Sequence, residues 1–192
     1  MSGKKKSKKV VIVLGSPRKA GNSATLAKQV AAGTKAAGAE VTSFYLHGLN
    51  IRPCSACDAC RGKTLGHCTT DDDMQTLYPE LEAADALVIA SPIYWFNVSA
   101  QTKLFMDRCY ALGDPAGHGL AGKKIGIVLT YADADPFSSG AVNALRMFQD
   151  GFRYIGAEIA GMVYGSAWKA GEIKKNKSLL AEARELGKKL AS

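Results

Sequence analysis

The chain alternates short, unbroken runs of aliphatic residues with stretches of helical periodicity, and that alternation restricts its fold more than any other feature. Val10-Val-Ile-Val-Leu14 is apolar at every position, the pattern of a strand covered on both faces. Further strands are predicted at Val41 to Leu46, Ala86 to Ala90, Lys124 to Thr130 and about Glu158 to Val163. Helices are predicted from Ser23 to about Ala37 with Gly38 as cap, from the Asp71-Asp72-Asp73-Met74 start, from Ser99 to about Tyr110, from about Ser139 to Tyr154, and from Ile173 to Leu190. Pro79 is expected to interrupt the second of these and restart it at Glu80-Leu81. Five strands separated by helices predict a three-layer α/β domain around a doubly wound parallel sheet. Ligands of such sheets bind beyond the carboxyl ends of the strands, which directs attention to the loops after Leu14, Ala90 and Thr130.

Length and charge bound the partners. With 192 residues, 47% hydrophobic, the chain suffices for one such core. Its net charge is +8, but five of those charges are Lys4, Lys5, Lys6, Lys8 and Lys9, and +8 less these five leaves about +3. Residues 1–9 are expected to be a disordered basic tail, and residues 10–192 the folded domain. No basic face interleaved with aromatics argues for nucleic acid. The tail runs straight into Val10 to Leu14, too short for a secretory apolar region and without a small-residue cleavage site. No stretch approaches the length of a membrane span. A cytoplasmic location is expected, with neither membrane nor nucleic acid as partner.

Four of the five cysteines, Cys54, Cys57, Cys60 and Cys68, fall in one irregular segment, an insertion over residues 53–70. In a reducing compartment, clustered cysteines bind metal or do chemistry more often than they form disulfides. Zinc sites usually draw on two pairs separated by a dozen or more residues, so the C-x2-C-x2-C run fits zinc poorly. A cubane cluster takes three thiolates from one winding loop and a fourth from nearby, which the spacing matches. Free or redox-active thiols remain a third reading. A phosphatase-type C-x5-R loop is excluded, because Cys60 stands where the arginine is required. Cys109 is expected to be a buried core thiol, and His47, His67 and His118 are isolated, although His67 borders Cys68.

Two loops look built for a ligand. Gly15-Ser-Pro-Arg-Lys-Ala-Gly-Asn-Ser23 offers glycines for a tight turn, hydroxyl and amide donors, the charge of Arg18 and the start of a helix. It matches neither a Walker A loop nor G-x-G-x-x-G, and its plainer reading is a strand-to-helix turn capped by Asn22 or Ser23. Ser91-Pro-Ile-Tyr-Trp-Phe-Asn97 places three successive aromatics where a planar ring could lodge, or where a second subunit could pack. Tyr131 adds another aromatic, and Asp133 and Asp135 read as loop solvation.

Together, the Gly15 to Ser23 loop, the Pro53-Cys54-x-x-Cys57-x-x-Cys60 segment with Cys68 and Asp72-Asp73-Met74, and Ser91-Pro92-Ile93-Tyr94 resemble the flavodoxin-like NADPH-dependent FMN reductases. Within that family the resemblance is closest to the iron-sulfur flavoproteins and spans almost the whole chain. It implies a five-stranded sheet of order 2-1-3-4-5. It also implies FMN, with the phosphate held by Ser16, Arg18, Asn22, Ser23 and Ala24 and the ring placed by Pro92, Ile93, Tyr94, Trp95, Phe96, Asn97 and Tyr131. A [4Fe-4S] cluster on Cys54, Cys57, Cys60 and Cys68 would lie at the same sheet edge and face the flavin. The flavin then carries the chemistry, with no obligatory side-chain acid or base. Ferredoxin or NAD(P)H is the expected donor, a small molecule such as a quinone or an oxygen species the acceptor, and the chain a homodimer or homotetramer. The alternatives are a cluster-free NAD(P)H:FMN or quinone reductase and a non-enzymatic electron carrier.

Overall fold

The computed structural model describes residues 7–62 and 66–192. In chain order it contains β1 (Lys9–Leu14), α1 (Asn22–Ala36), β2 (Glu40–Tyr45), α2 (Met74–Ala83), β3 (Ala86–Tyr94), β4 (Asn97–Val98) and α3 (Ala100–Arg108). There follow a small hairpin, β5 (Gly113–Asp114) and β6 (Gly117–His118), then β7 (Lys124–Tyr131), α4 (Ala141–Tyr154), β8 (Glu158–Ser166) and α5 (Lys177–Ala191). The parallel strands stand in the order β2-β1-β3-β7-β8, which is the expected 2-1-3-4-5 arrangement counted over those five. Val10 lies opposite Val41 on one side and Ala86 on the other, and Ala86 lies opposite Lys124.

Alternation along the strands builds both cores. Val11 and Val13 point with Leu87, Ile89, Ile127 and Leu129 into a core closed by Leu77, Phe105 and Phe148. Val10 and Ile12 point the other way, with Val88 and Val128, against Leu26, Val30 and Leu186. On that second face α1 and α5 meet backbone to backbone. A Cβ added to Gly33 would stand 1.9 Å from the Arg184 carbonyl oxygen, and one on Gly187 would stand 2.0 Å from that of Val30. The Thr34 hydroxyl uses this closeness to donate to the Gly187 carbonyl at 3.1 Å.

Several expected boundaries move, each for a visible reason. Residues 1–6 of the expected tail lie outside the described residues, but Lys8 and Lys9 belong to the domain. Lys9 opens β1, Lys8 pairs with Asp85 at 3.0 Å, and the Lys9 N–H donates to the same carboxylate at 2.8 Å. Pro79 does not interrupt α2, which runs through it. The loss of one backbone donor is tolerated there, because Met74, Leu77, Tyr78 and Leu81 hold both halves of the helix in the core. The aromatic segment is not an open loop: β3 continues to Tyr94 and folds back through β4, with Ile93 opposite Val98 and Tyr94 opposite Asn97.

The turn of that hairpin is Trp95-Phe96, with φ of 47° and 64°. A two-residue turn with positive φ at both positions is of the type I′ kind, which matches strand twist and normally selects Asn and Gly. Bulky residues there cost of the order of 1–3 kcal/mol each. Gly140 makes room, since its own Cβ would fall 2.6 Å from the Phe96 Cα, and the Asn143 amide donates to the Phe96 carbonyl at 3.1 Å.

Candidate functional site

The loop after β1 is fixed by a buried hydroxyl network. Gly15 donates its N–H to the Ala90 carbonyl at 2.8 Å and accepts from Ser99 Oγ at 2.7 Å. Ser99 Oγ also lies 2.9 Å from Thr102 Oγ1, and Ser91 Oγ accepts from the Ser99 N–H at 3.1 Å. A Cβ on Gly15 would meet Thr102 Oγ1 at 1.9 Å, so only glycine lets the end of β1 lie against α3. The loop after β1 and the β3–β4 hairpin are thereby held as one unit.

Beyond Gly15 the chain is shaped for an anion. Ser16 Oγ accepts from the Arg18 N–H at 3.1 Å, and the Tyr45 hydroxyl donates to the Pro17 carbonyl at 2.6 Å. Helix α1 starts without a side-chain cap and without an acidic residue in its first turn. The first internal bond runs from the Thr25 N–H to the Gly21 carbonyl at 2.9 Å, leaving the N–H groups of Asn22, Ser23 and Ala24 ahead of it. Those donors and the positive end of the helix dipole favour a phosphate. Arg18 is exposed and, among the described residues, has no carboxylate within ion-pair distance.

One cleft brings together Ser16, Arg18, Asn22, Ser23, Pro92, Ile93, Tyr94 and Tyr131. Burial pushes the Tyr131 hydroxyl above its ordinary range. Ala24 is 2% exposed and offers only its backbone. The Asn22 side chain is spent on structure: its amide donates to the carbonyls of Ala167 and Lys169 at 3.1 and 3.0 Å, and its oxygen accepts from the Ile173 N–H. Trp95, Phe96 and Asn97 do not line the cleft. Trp95 stands 93% exposed at the hairpin tip, and Asn97 Oδ1 accepts from the Val98 N–H. In their place the cleft is closed by Ala167, Trp168 and Ala170, from the loop after β8. That loop also leaves a strand at its carboxyl end, so the rule that selected the other loops reaches it as well.

The four cysteines line a second cavity, of about 280 Å³, with Thr69, Thr70, Arg108 and Tyr110. Ala56 and Asp58 have φ of 53° and 55°, left-handed conformations that turn the backbone sharply between the cysteines. Backbone and side-chain hydrogen bonds, the Ala59 N–H first, lower the Cys57 thiol. Burial raises Cys60. Burial also acts against ionisation of Cys68, but the Thr70 hydroxyl and N–H and the Arg108 guanidinium outweigh it and lower the thiol. Among the described residues no group of three or more His, Cys, Asp or Glu side chains is placed to grip a metal ion. Cys109 is the buried thiol expected, pushed up to about 12.

Beneath this cavity lies an ion pair that the sequence did not announce. Arg108 Nη1 meets Asp72 Oδ2 at 2.5 Å, with both side chains no more than 1% exposed. Asp72 also accepts from the N–H groups of Arg52 and Met74, at 2.9 and 3.0 Å. Arg108 Nη2 donates to Cys68 Sγ at 3.3 Å. The Nε–H of Arg108 is buried and has no partner among the described residues. The cysteine cavity and the cleft at α1 have no lining residue in common. α3 separates them: Ser99 caps it beside the cleft and Arg108 ends it under the cysteines, about 13 Å away at 1.5 Å per residue.

These features define a flavodoxin-like α/β protein with a cleft at the carboxyl edge of its sheet, lined by Ser16, Arg18 and the start of α1. The quinone oxidoreductase of Methanothermobacter marburgensis, an NAD(P)H enzyme, has the same fold, with a TM-score of 0.74, 18% identity and coverage of 97% of this chain and 98% of that one. The family model for NADPH-dependent FMN reductase matches residues 8–165, and the chain belongs to that family. An iron-sulfur flavoprotein of Methanocaldococcus jannaschii is 30% identical over 190 residues, 95% of each chain. An iron-sulfur flavoprotein of Archaeoglobus fulgidus is 38% identical over 126 residues, 65% of this chain and 54% of that protein. The match thus spans about half the length of the latter relative. No helix among the described residues is long and apolar enough to cross a membrane.

Proposed function

We propose that the protein is an FMN-dependent oxidoreductase that also carries a [4Fe-4S] cluster and moves electrons from NAD(P)H or ferredoxin to a small acceptor. The observation that carries the flavin half is the uncapped start of α1 beside Arg18, in one cleft with Tyr94, Tyr131 and Trp168. The N–H groups of Asn22, Ser23 and Ala24, the Ser16 and Ser23 hydroxyls and Arg18 would hold the phosphate. Pro92, Ile93, Tyr94 and Tyr131 would position and shield the ring. Trp95, Phe96 and Asn97, at the hairpin tip outside the cleft, would act on the ring only through contacts that close over it.

The cluster half rests on Cys54, Cys57, Cys60 and Cys68 sharing one cavity, on the left-handed residues Ala56 and Asp58 between them, and on the Arg108 Nη2 hydrogen directed to Cys68 Sγ. A cubane binds its four thiolates on separate irons, so the cysteines need not converge as they would on zinc. The two relatives named as iron-sulfur flavoproteins support the same reading. When bound, FMN supplies one- and two-electron chemistry and the cluster supplies one-electron transfer. The exposed Trp95, Phe137 and Trp168 suit association with a second copy of the chain.

Arg18→Ala tests the phosphate assignment. Loss of one charged hydrogen-bonding group, about 1.5–3 kcal/mol, should weaken FMN binding by about 10- to 100-fold, read by fluorescence titration of the apoprotein. Unchanged affinity would remove Arg18 from the site. NAD(P)H oxidation with quinone, flavin and oxygen acceptors tests the activity, and absence of turnover with all of them leaves only an electron carrier.

A further inference from the structure

The guanidinium of Arg108 has five N–H donors in a fixed plane, and the structure accounts for four of them. Asp72 takes one hydrogen from each Nη, through Oδ2 and Oδ1 at 2.5 and 3.2 Å. The Arg52 carbonyl takes the other Nη1 hydrogen at 2.9 Å, and Cys68 Sγ takes the other Nη2 hydrogen at 3.3 Å. The fifth, Nε–H, is buried and unpartnered among the described residues. In a guanidinium, Nε–H lies on the same edge as the Nη2 hydrogen that is directed to Cys68. That edge is therefore a fork with the Cys68 sulfur on its Nη2 prong, while Nε is sealed from the cysteine cavity that Arg108 lines.

The rest of the environment holds this fork still. The Tyr78 hydroxyl donates to the Arg108 carbonyl at 3.1 Å, and Tyr78 is 7% exposed. Asp72 is itself held by two backbone N–H groups. With its Nε–H sealed away, Arg108 reaches the cysteine cavity through the Nη2 prong alone.

We propose that Arg108 tunes the reduction potential of the cluster by donating an N–H···S bond from Nη2 to Cys68 Sγ. The proposal rests on the cluster reading above. Reduction adds one electron, and hence one negative charge, to the cluster. Donors fixed toward its sulfurs stabilise that added charge more than the oxidised state, and so raise the potential.

The test uses protein purified anaerobically as the full chain: wild type, Arg108→Lys, and Arg108→Met combined with Asp72→Asn. Arg108→Lys keeps the positive charge beside Cys68 and loses the planar donor geometry, so its shift reports on the hydrogen bond, while the double variant removes the bond and the ion pair together. Iron, sulfide and FMN per chain are measured together with the midpoint potential from an EPR-monitored titration. The expected result is wild-type cluster content with a more negative potential in both variants. Unchanged potential in both, at full cluster content, overturns the proposal and leaves the cluster standing. Loss of iron from both also overturns it, because Arg108 would then build the site and not tune it. Iron-free wild type overturns the proposal and the cluster reading together.

Discussion

Asp72→Ala is expected to lower the unfolding free energy by about 3–5 kcal/mol, since it strips a buried guanidinium of its counter-ion. Arg108 is 2% exposed and cannot reach water without opening the cysteine segment. The same change removes the acceptor for the Arg52 and Met74 N–H groups, which tie that segment to the start of α2. The melting temperature should fall by roughly 6–20 °C, taking about 2–4 °C per kcal/mol for a chain of this size. The effect carries a pH signature. Burial alone would raise the Asp72 carboxyl, but the hydrogen bonds from Arg108 and from the Arg52 and Met74 N–H groups hold it below the usual range. Its contribution is therefore complete above the unfolded value of about 3.9 and is lost as pH falls through the lower folded value. Melts of wild type and Asp72→Ala should differ fully at pH 7 and converge on acidification below about pH 4. A constant difference across that range contradicts the assignment.

Gly33→Ala is the second large effect, and its sign runs against helix propensity. Alanine in place of glycine inside a helix ordinarily gains up to about 1 kcal/mol. At Gly33 the added methyl would stand 1.9 Å from a backbone oxygen of α5, which no rotamer change can relieve. Separating α1 from α5 opens the core of Leu26, Val30 and Leu186, and overpacking of this kind costs about 1–3 kcal/mol. A loss near 3 kcal/mol is expected, because both partners are backbone. Gly151→Ala is the control: nothing lies within 4 Å of its Cβ position in α4. It should raise the melting temperature slightly, and the opposite order of the two variants would refute the packing argument.

Most of the sheet was legible because parallel strands covered on both faces declare themselves as unbroken apolar runs. Val10 to Leu14 and Ala86 to Ala90 lie where they were expected. What stayed hidden depends on contacts remote in sequence. Arg108 and Asp72 are 36 residues apart, and neither residue type signals a buried partner on its own. The place of Asn22 in the β1 loop was legible, but not that its carboxamide serves the loop at Ala167, which is 145 residues away. Trp95-Phe96 contradicts the Asn-Gly preference of the turn it forms, so local rules gave a loop where the chain makes a hairpin. Pro79 violated a rule whose local penalty the core of α2 outweighs. The cysteines were readable as a set, whereas their distance from the α1 cleft is a property of α3.

A chain that holds both a flavin and an iron-sulfur cluster reveals it in the iron, acid-labile sulfide and FMN content of protein made under iron-replete anaerobic conditions, read alongside the visible spectrum. The expected result is about four iron and four sulfide per chain, one FMN, and broad cluster absorbance that Cys57→Ala abolishes while FMN remains. Protein with stoichiometric FMN and no iron or sulfide would contradict it.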